Sequence, residues 1–74
     1  MNEFRTSDIV LAAYLRTNQC TMINIEKQGQ KGTFVFEDVP NDLIMTYQLG
    51  NASVEPITFN NIIKQLATSI RTIV

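Results

Sequence analysis

The residues able to do chemistry in this 74-residue chain are few. There is no histidine and a single cysteine, Cys20. A cysteine works as a nucleophile when a neighbouring base or cation holds it as thiolate, and no imidazole exists here to do so. Glu37-Asp38 is the one adjacent pair of carboxylates, and Asp42, four residues on, is its near neighbour. A hard cation wants more converging oxygens than that. Ser7, Ser53 and Ser69 also lack an imidazole base, which leaves lysine as the formal alternative. Gly29-Gln30-Lys31-Gly32 is too short for a phosphate-cradling loop and lacks the flanking strand and helix. The expectation is therefore a protein that is no enzyme, with no catalytic residue, no metal and no cofactor. On this reading Cys20 is a half-buried structural thiol, and Glu37-Asp38 is a strand end that caps a helix.

Seventy-four residues suffice for one domain, residues 1–74. A core of this size rarely supplies more than about 3–5 kcal/mol by itself. Small domains compensate with disulfides, a metal or a partner subunit. One cysteine excludes an internal disulfide, and a zinc site is not expected without histidine. Self-association is what is left. The net charge of −1 gives no general attraction to nucleic acid or anionic membrane. No apolar run is long enough to span a membrane. The start, Met1-Asn2-Glu3-Phe4-Arg5, lacks the features of a secretory signal, so a cytoplasmic location and a reduced Cys20 are expected. Charge is unevenly placed: residues 33–56 hold Glu37, Asp38, Asp42 and Glu55 with no basic residue, and residues 57–74 hold Lys64 and Arg71 with no acid. These are either solvated faces or a self-complementary pair.

The elements follow from pattern. A first helix is expected over residues 7–17, capped by Thr6 or Ser7, with Asp8 in the first turn. Residues 9–15 are apolar throughout, which demands cover on several sides. Residues 20–27 and 32–38 read as strands of a hairpin. A Gly29-Gln30 two-residue turn sets Gln28 opposite Lys31, Glu26 opposite Thr33, Ile25 opposite Phe34, Asn24 opposite Val35 and Ile23 opposite Phe36. Ile23, Ile25, Phe34 and Phe36 then share one apolar face, and Met22, Asn24, Glu26, Thr33, Val35 and Glu37 form the outer one. A second helix runs over residues 40–49, with Leu43, Ile44 and Tyr47 inward and Gly50 at its end. A third begins near Thr58, where Ile57 and Ile62 suit a hydrophobic staple. Phe59, Ile63, Leu66, Ile70 and Ile73 form a heptad seam along it. The expected fold is a small α+β domain of order α-β-β-α-α, a two-stranded antiparallel hairpin packed with three helices. Phe36, Leu43, Ile63 and Leu66 are its expected core.

One resemblance rests on order and spacing: Thr6-Ser7-Asp8-Ile9, Leu11-Ala12-Ala13-Tyr14-Leu15, Lys31 followed by Phe34-Val35-Phe36-Glu37-Asp38, Tyr47, then Pro56 and Phe59 ahead of Leu66. Over nearly its whole length the chain resembles a family of small uncharacterised proteins, a domain of unknown function, found in phage, prophage and microbial environmental DNA. That resemblance implies a phage-type accessory protein working in the host cytoplasm. It supplies no site residues.

The function expected is a homodimeric protein-interaction module with a further, unidentified protein partner. Leu11, Ala12, Leu15, Leu66, Ile70 and Ile73 are the candidate interface, because the first helix and the end of the third carry more apolar surface than one subunit is expected to cover. The alternative is a weak nucleic-acid-binding module using Arg5, Arg16, Lys27 and Lys31. It is not favoured, since an exposed aromatic strand for base stacking is missing and a hairpin follows the first helix where a recognition helix would stand.

Overall fold

The computed structural model describes residues 3–29 and 31–72. In order, the elements are β1 (Glu3–Thr6), α1 (Ile9–Thr17), β2 (Thr21–Gln28), β3 (Lys31–Glu37), α2 (Asn41–Gln48) and α3 (Pro56–Thr72). The sheet has three strands, not two. Its order is β1-β3-β2, and both neighbours run antiparallel to β3. β1 and β2 are thus parallel, joined by α1, with β3 inserted between them: a split β-α-β arrangement. This replaces the two-stranded hairpin and the α-β-β-α-α order expected from the sequence. Glu3-Phe4-Arg5-Thr6, for which no strand was expected, are a strand paired to Glu37, Phe36, Val35 and Phe34.

The hairpin register agrees with expectation from Gln28↔Lys31 through Asn24↔Val35. Gly29 has φ +62°, the left-handed value that a tight two-residue turn requires at its first position. Beyond Asn24 the register slips. A bulge between Met22 and Asn24 sets Met22, not Ile23, opposite Phe36. Ile23 is left 44% exposed, while Met22 packs against the core. An extra residue on one strand exchanges the faces beyond it, and this one moves methionine inward and isoleucine outward.

Phe34 and Phe36 line one face of β3 and are fully buried in the core with Leu11, Ala12, Ala13, Tyr14 and Leu15 of α1 and Leu66 of α3. Leu43 and Ile63, also expected in the core, pack against it while half-buried. α1 and α3 sit on this face, and the smallest extent of the domain, 18 Å, fits two layers. Gly32, on the same face as Phe34, is buried. A Cβ there would lie 2.6 Å from Cδ1 and 2.8 Å from Cγ1 of Ile70. Glycine is needed here for space, so that α3 can lie close to the sheet.

The helix ends are set by capping. Asp8, not Thr6 or Ser7, is the N-cap of α1, its Oδ1 accepting from the amides of Val10 (2.9 Å) and Leu11 (3.3 Å). Thr6 Oγ1 accepts from the Asp8 amide, which fixes the turn out of β1. α3 starts two residues before Thr58: Pro56 occupies the first helical position, where no amide is needed, and the Glu55 carboxylate accepts from the Thr58 amide. That bond holds the Glu55 carboxyl below the usual carboxylate range. Both α1 and α2 end in the same six-residue closure. Gln19 donates to Arg16 O and Cys20 to Leu15 O, as Gly50 donates to Tyr47 O and Asn51 to Thr46 O.

Overpacking a core typically costs 1–3 kcal/mol. Gly32→Ala is expected to destabilise by about 1 kcal/mol, at the low end because the obstructing atoms end a side chain. Ile70→Val, which removes Cδ1, should cost less in the Gly32→Ala background than in the parent. Chemical denaturation of the four proteins of this cycle checks both; additive effects would separate the two residues.

Candidate functional site: the exposed surface and the cavity beside Cys20

Four candidate interface residues lie inside their own subunit. Leu11 (8% exposed), Ala12, Leu15 and Leu66 all belong to the core, and Ile70 is half-buried against Gly32. Ile73 lies outside the described residues. α1 is covered on its successive sides by the sheet, by α3 and, at Tyr14, by Tyr47 of α2. β1 provides cover that the sequence reading lacked, and the expected second helix adds Tyr47, so the apolar run of residues 9–15 needs no second subunit.

The apolar side chains that do reach solvent are different ones: Val10, Ile23, Met45, Leu49 and Ile57. Met45 and Leu49, the C-cap of α2, are four residues apart and so lie on one side of the helix, away from the half-buried Leu43, Ile44 and Tyr47. The signal for them was present in the sequence, as the second apolar side of a helix whose first side is Leu43, Ile44 and Tyr47. Ile23 had no such signal, since its exposure depends on the bulge.

The four cations proposed for nucleic acid do not form one free patch. Arg5 stands on the face of the sheet away from the core cluster, where its guanidinium pairs with Glu26 of β2 and with Glu3 (3.1 Å). Since β3 lies between β1 and β2, the Arg5–Glu26 pair crosses over it. Val35, the direct opposite of Arg5, is 1% exposed although it lies on the face away from the core cluster. Arg16 lies in the last turn of α1, where it suits the helix dipole. Lys27 and Lys31 flank the hairpin turn, with opposite partners on the two faces of the ladder: Lys27 pairs with Gly32 on the core side and Lys31 with Gln28 on the outer side.

The topology does bring Cys20 to Glu37 and Asp38. The end of α1 leads into β2, whose first residue, Thr21, pairs with Glu37. Asn18, Gln19, Cys20, Thr21, Glu37, Asp38, Pro40 and Leu43 line a cavity of about 300 Å³. Gln19 (φ +65°) and Asp38 (φ +54°) on its wall both hold the left-handed conformation that disfavours most side chains. Burial pushes the Cys20 thiol above its ordinary value, so it is protonated near neutrality and a poor nucleophile. Among the described residues, no three of His, Cys, Asp and Glu are grouped to hold a metal, and no helix is long and apolar enough to cross a membrane.

Compared with known proteins, residues 1–72 match the family described as "Domain of unknown function (DUF5659)", and the chain belongs to that family. No curated protein and no solved structure matches it.

Two measurements test the cavity wall. Gln19 occupies the position that glycine fills at the end of α2, and a left-handed L-residue costs about 1–2 kcal/mol. Gln19→Gly should therefore raise stability by up to about 1 kcal/mol, after the entropy that glycine loses on folding; a loss of stability would show that the Gln19 side chain holds the turn. For Cys20, the raised thiol value makes reaction with Ellman's reagent slower than that of an unstructured thiol at pH 8. The rate should climb with pH through a midpoint above the ordinary value of about 8.5.

Proposed function

We propose that this member of the DUF5659 family is a non-enzymatic accessory protein of phage type, acting in the host cytoplasm as a homodimeric protein-interaction module. The phage attribution rests on the resemblance carried by the order and spacing of its residues. The non-enzymatic part is supported by the absence of histidine and by a thiol held protonated.

The observation that carries the homodimer is the exposure of Met45, Leu49 and Ile57, at 57%, 69% and 70%. Single apolar residues on a surface are ordinary. Here, however, the three most exposed large apolar side chains among the described residues fall within residues 45–57, two of them on one side of α2 and its C-cap. Covering apolar surface is worth about 25 cal/mol per Å², and a two-fold dimer is the commonest way a small chain does so. The interface is thus expected on α2 and the start of α3, not on α1. Nucleic-acid binding has less behind it, because Arg5 is neutralised by Glu26 and Glu3 and the chain is net acidic.

Sedimentation equilibrium at micromolar concentration should give a dimer. Met45→Lys and Leu49→Lys should give monomers with unchanged circular dichroism, since neither side chain is in the core. A monomeric parent, or a dimer indifferent to both changes, would overturn this reading. Retention on random DNA that weakens steeply with salt would favour nucleic acid.

A further inference from the structure

We infer that α2 is a hinged clasp, which opens away from α1 as a unit while the sheet, α1 and α3 stay folded. None of its eight residues is buried. Leu43, Ile44, Thr46 and Tyr47 are half-buried, and the other four are exposed. By contrast α1 holds five buried residues in succession, and α3 is anchored by Leu66 and by Ile70 over Gly32. An eight-residue helix has little stability of its own, so α2 depends on what fastens it to the domain.

The fastening is centred on Tyr47. Its hydroxyl donates to Asp8 Oδ2 (3.0 Å), and its ring meets that of Tyr14 at a centroid distance of 5.8 Å. Burial, followed by this bond to Asp8, pushes the Tyr47 phenol above its ordinary value, so the hydroxyl keeps its proton across the neutral range. Asp8 thereby serves two elements at once, with Oδ1 capping α1 and Oδ2 holding α2. Leu43 adds an apolar contact with the core.

Each end of α2 is next to a left-handed residue. Asp38, φ +54°, lies three positions before its first residue, and Gly50, φ +77°, two positions after its last. Such residues at element ends are where a hinged segment takes up its change of φ and ψ. Opening would uncover Tyr14, which is 5% exposed in the closed form. It would also turn Leu43, Ile44 and Tyr47 outward, producing an amphipathic surface that the closed form hides. The inference stands apart from the homodimer, since a monomer would open in the same way.

Native-state hydrogen exchange read by NMR at increasing low denaturant tests it. The amides of residues 45–49 should share one opening free energy and one denaturant slope, and should exchange at least about tenfold faster than the slowest amides of α1 and β3. Tyr47→Phe should speed exchange in α2 about fivefold, the worth of one hydrogen bond, and leave β3 unchanged. Two results would overturn the clasp: exchange of α2 only through global unfolding, or residue-by-residue fraying with no denaturant dependence. The parent protein alone decides between these, so the result does not depend on the variant.

Discussion

The pairing of β1 with β3 is the constraint on which the rest of this domain depends. Phe34, Val35 and Phe36 are consecutive and all essentially inaccessible to solvent. Successive side chains of a strand point to opposite faces, so three in a row can be buried only if both faces of that strand are covered. A strand on each side makes β3 central. The two phenylalanines then go to the helices, and Val35 goes to the other face, where Arg5 of one edge strand reaches Glu26 of the other. An exposed ion pair contributes little by its charge. This one spans β3 from one edge strand to the other, on the face that carries Val35.

With β3 central, the division of labour among the helices follows. α1 is the connection between two parallel strands and must cross the sheet, so it is the most buried helix. α3 lies beside it, brought close by the missing side chain at Gly32. α2 belongs to neither layer. It is attached by a tyrosine and a leucine, and Met45 on it and Leu49 at its end stay in solvent.

Much of this was legible in the sequence, and what was not has identifiable causes. The pairing from Asn24 to Gln28 could be read because Gly29 dictates the turn and the turn dictates the register. The pairing of Met22 and Ile23 could not, because a bulge leaves no mark in an alternating apolar pattern. β1 was missed because four residues are too few to show a period, and Thr6-Ser7-Asp8 looks like a helix start wherever the strand before it ends. That omission produced a second one. With β1 unseen, a two-stranded hairpin was too small to cover the apolar stretch of α1 on several sides, and a partner subunit was the natural remedy. The contiguous run Phe34-Val35-Phe36 was the available clue, since a hairpin with one open face should alternate. At α3 the start was placed near Thr58 on the staple of Ile57 and Ile62 alone, whereas Pro56 takes the first helical position and Glu55 accepts from the Thr58 amide. For the candidate sites, the meeting of Cys20 with Glu37-Asp38 arises from the way α1 delivers β2 beside the end of β3, and no local spacing encodes that.

The split β-α-β order also fixes when the chain can become stable as it is made. β1 and α1 are made before the elements that cover them, and β1 has no partner until residues 34–37 have followed it. Phe4 and the apolar side of α1 therefore wait in solution for about thirty residues of synthesis, since the intervening β2 pairs with the same absent strand. The tyrosine that holds the second carboxylate oxygen of Asp8 arrives later still. A domain that could begin with a local helix instead completes its core only when Leu66 of α3 has been made, so its earliest segment waits longest for cover.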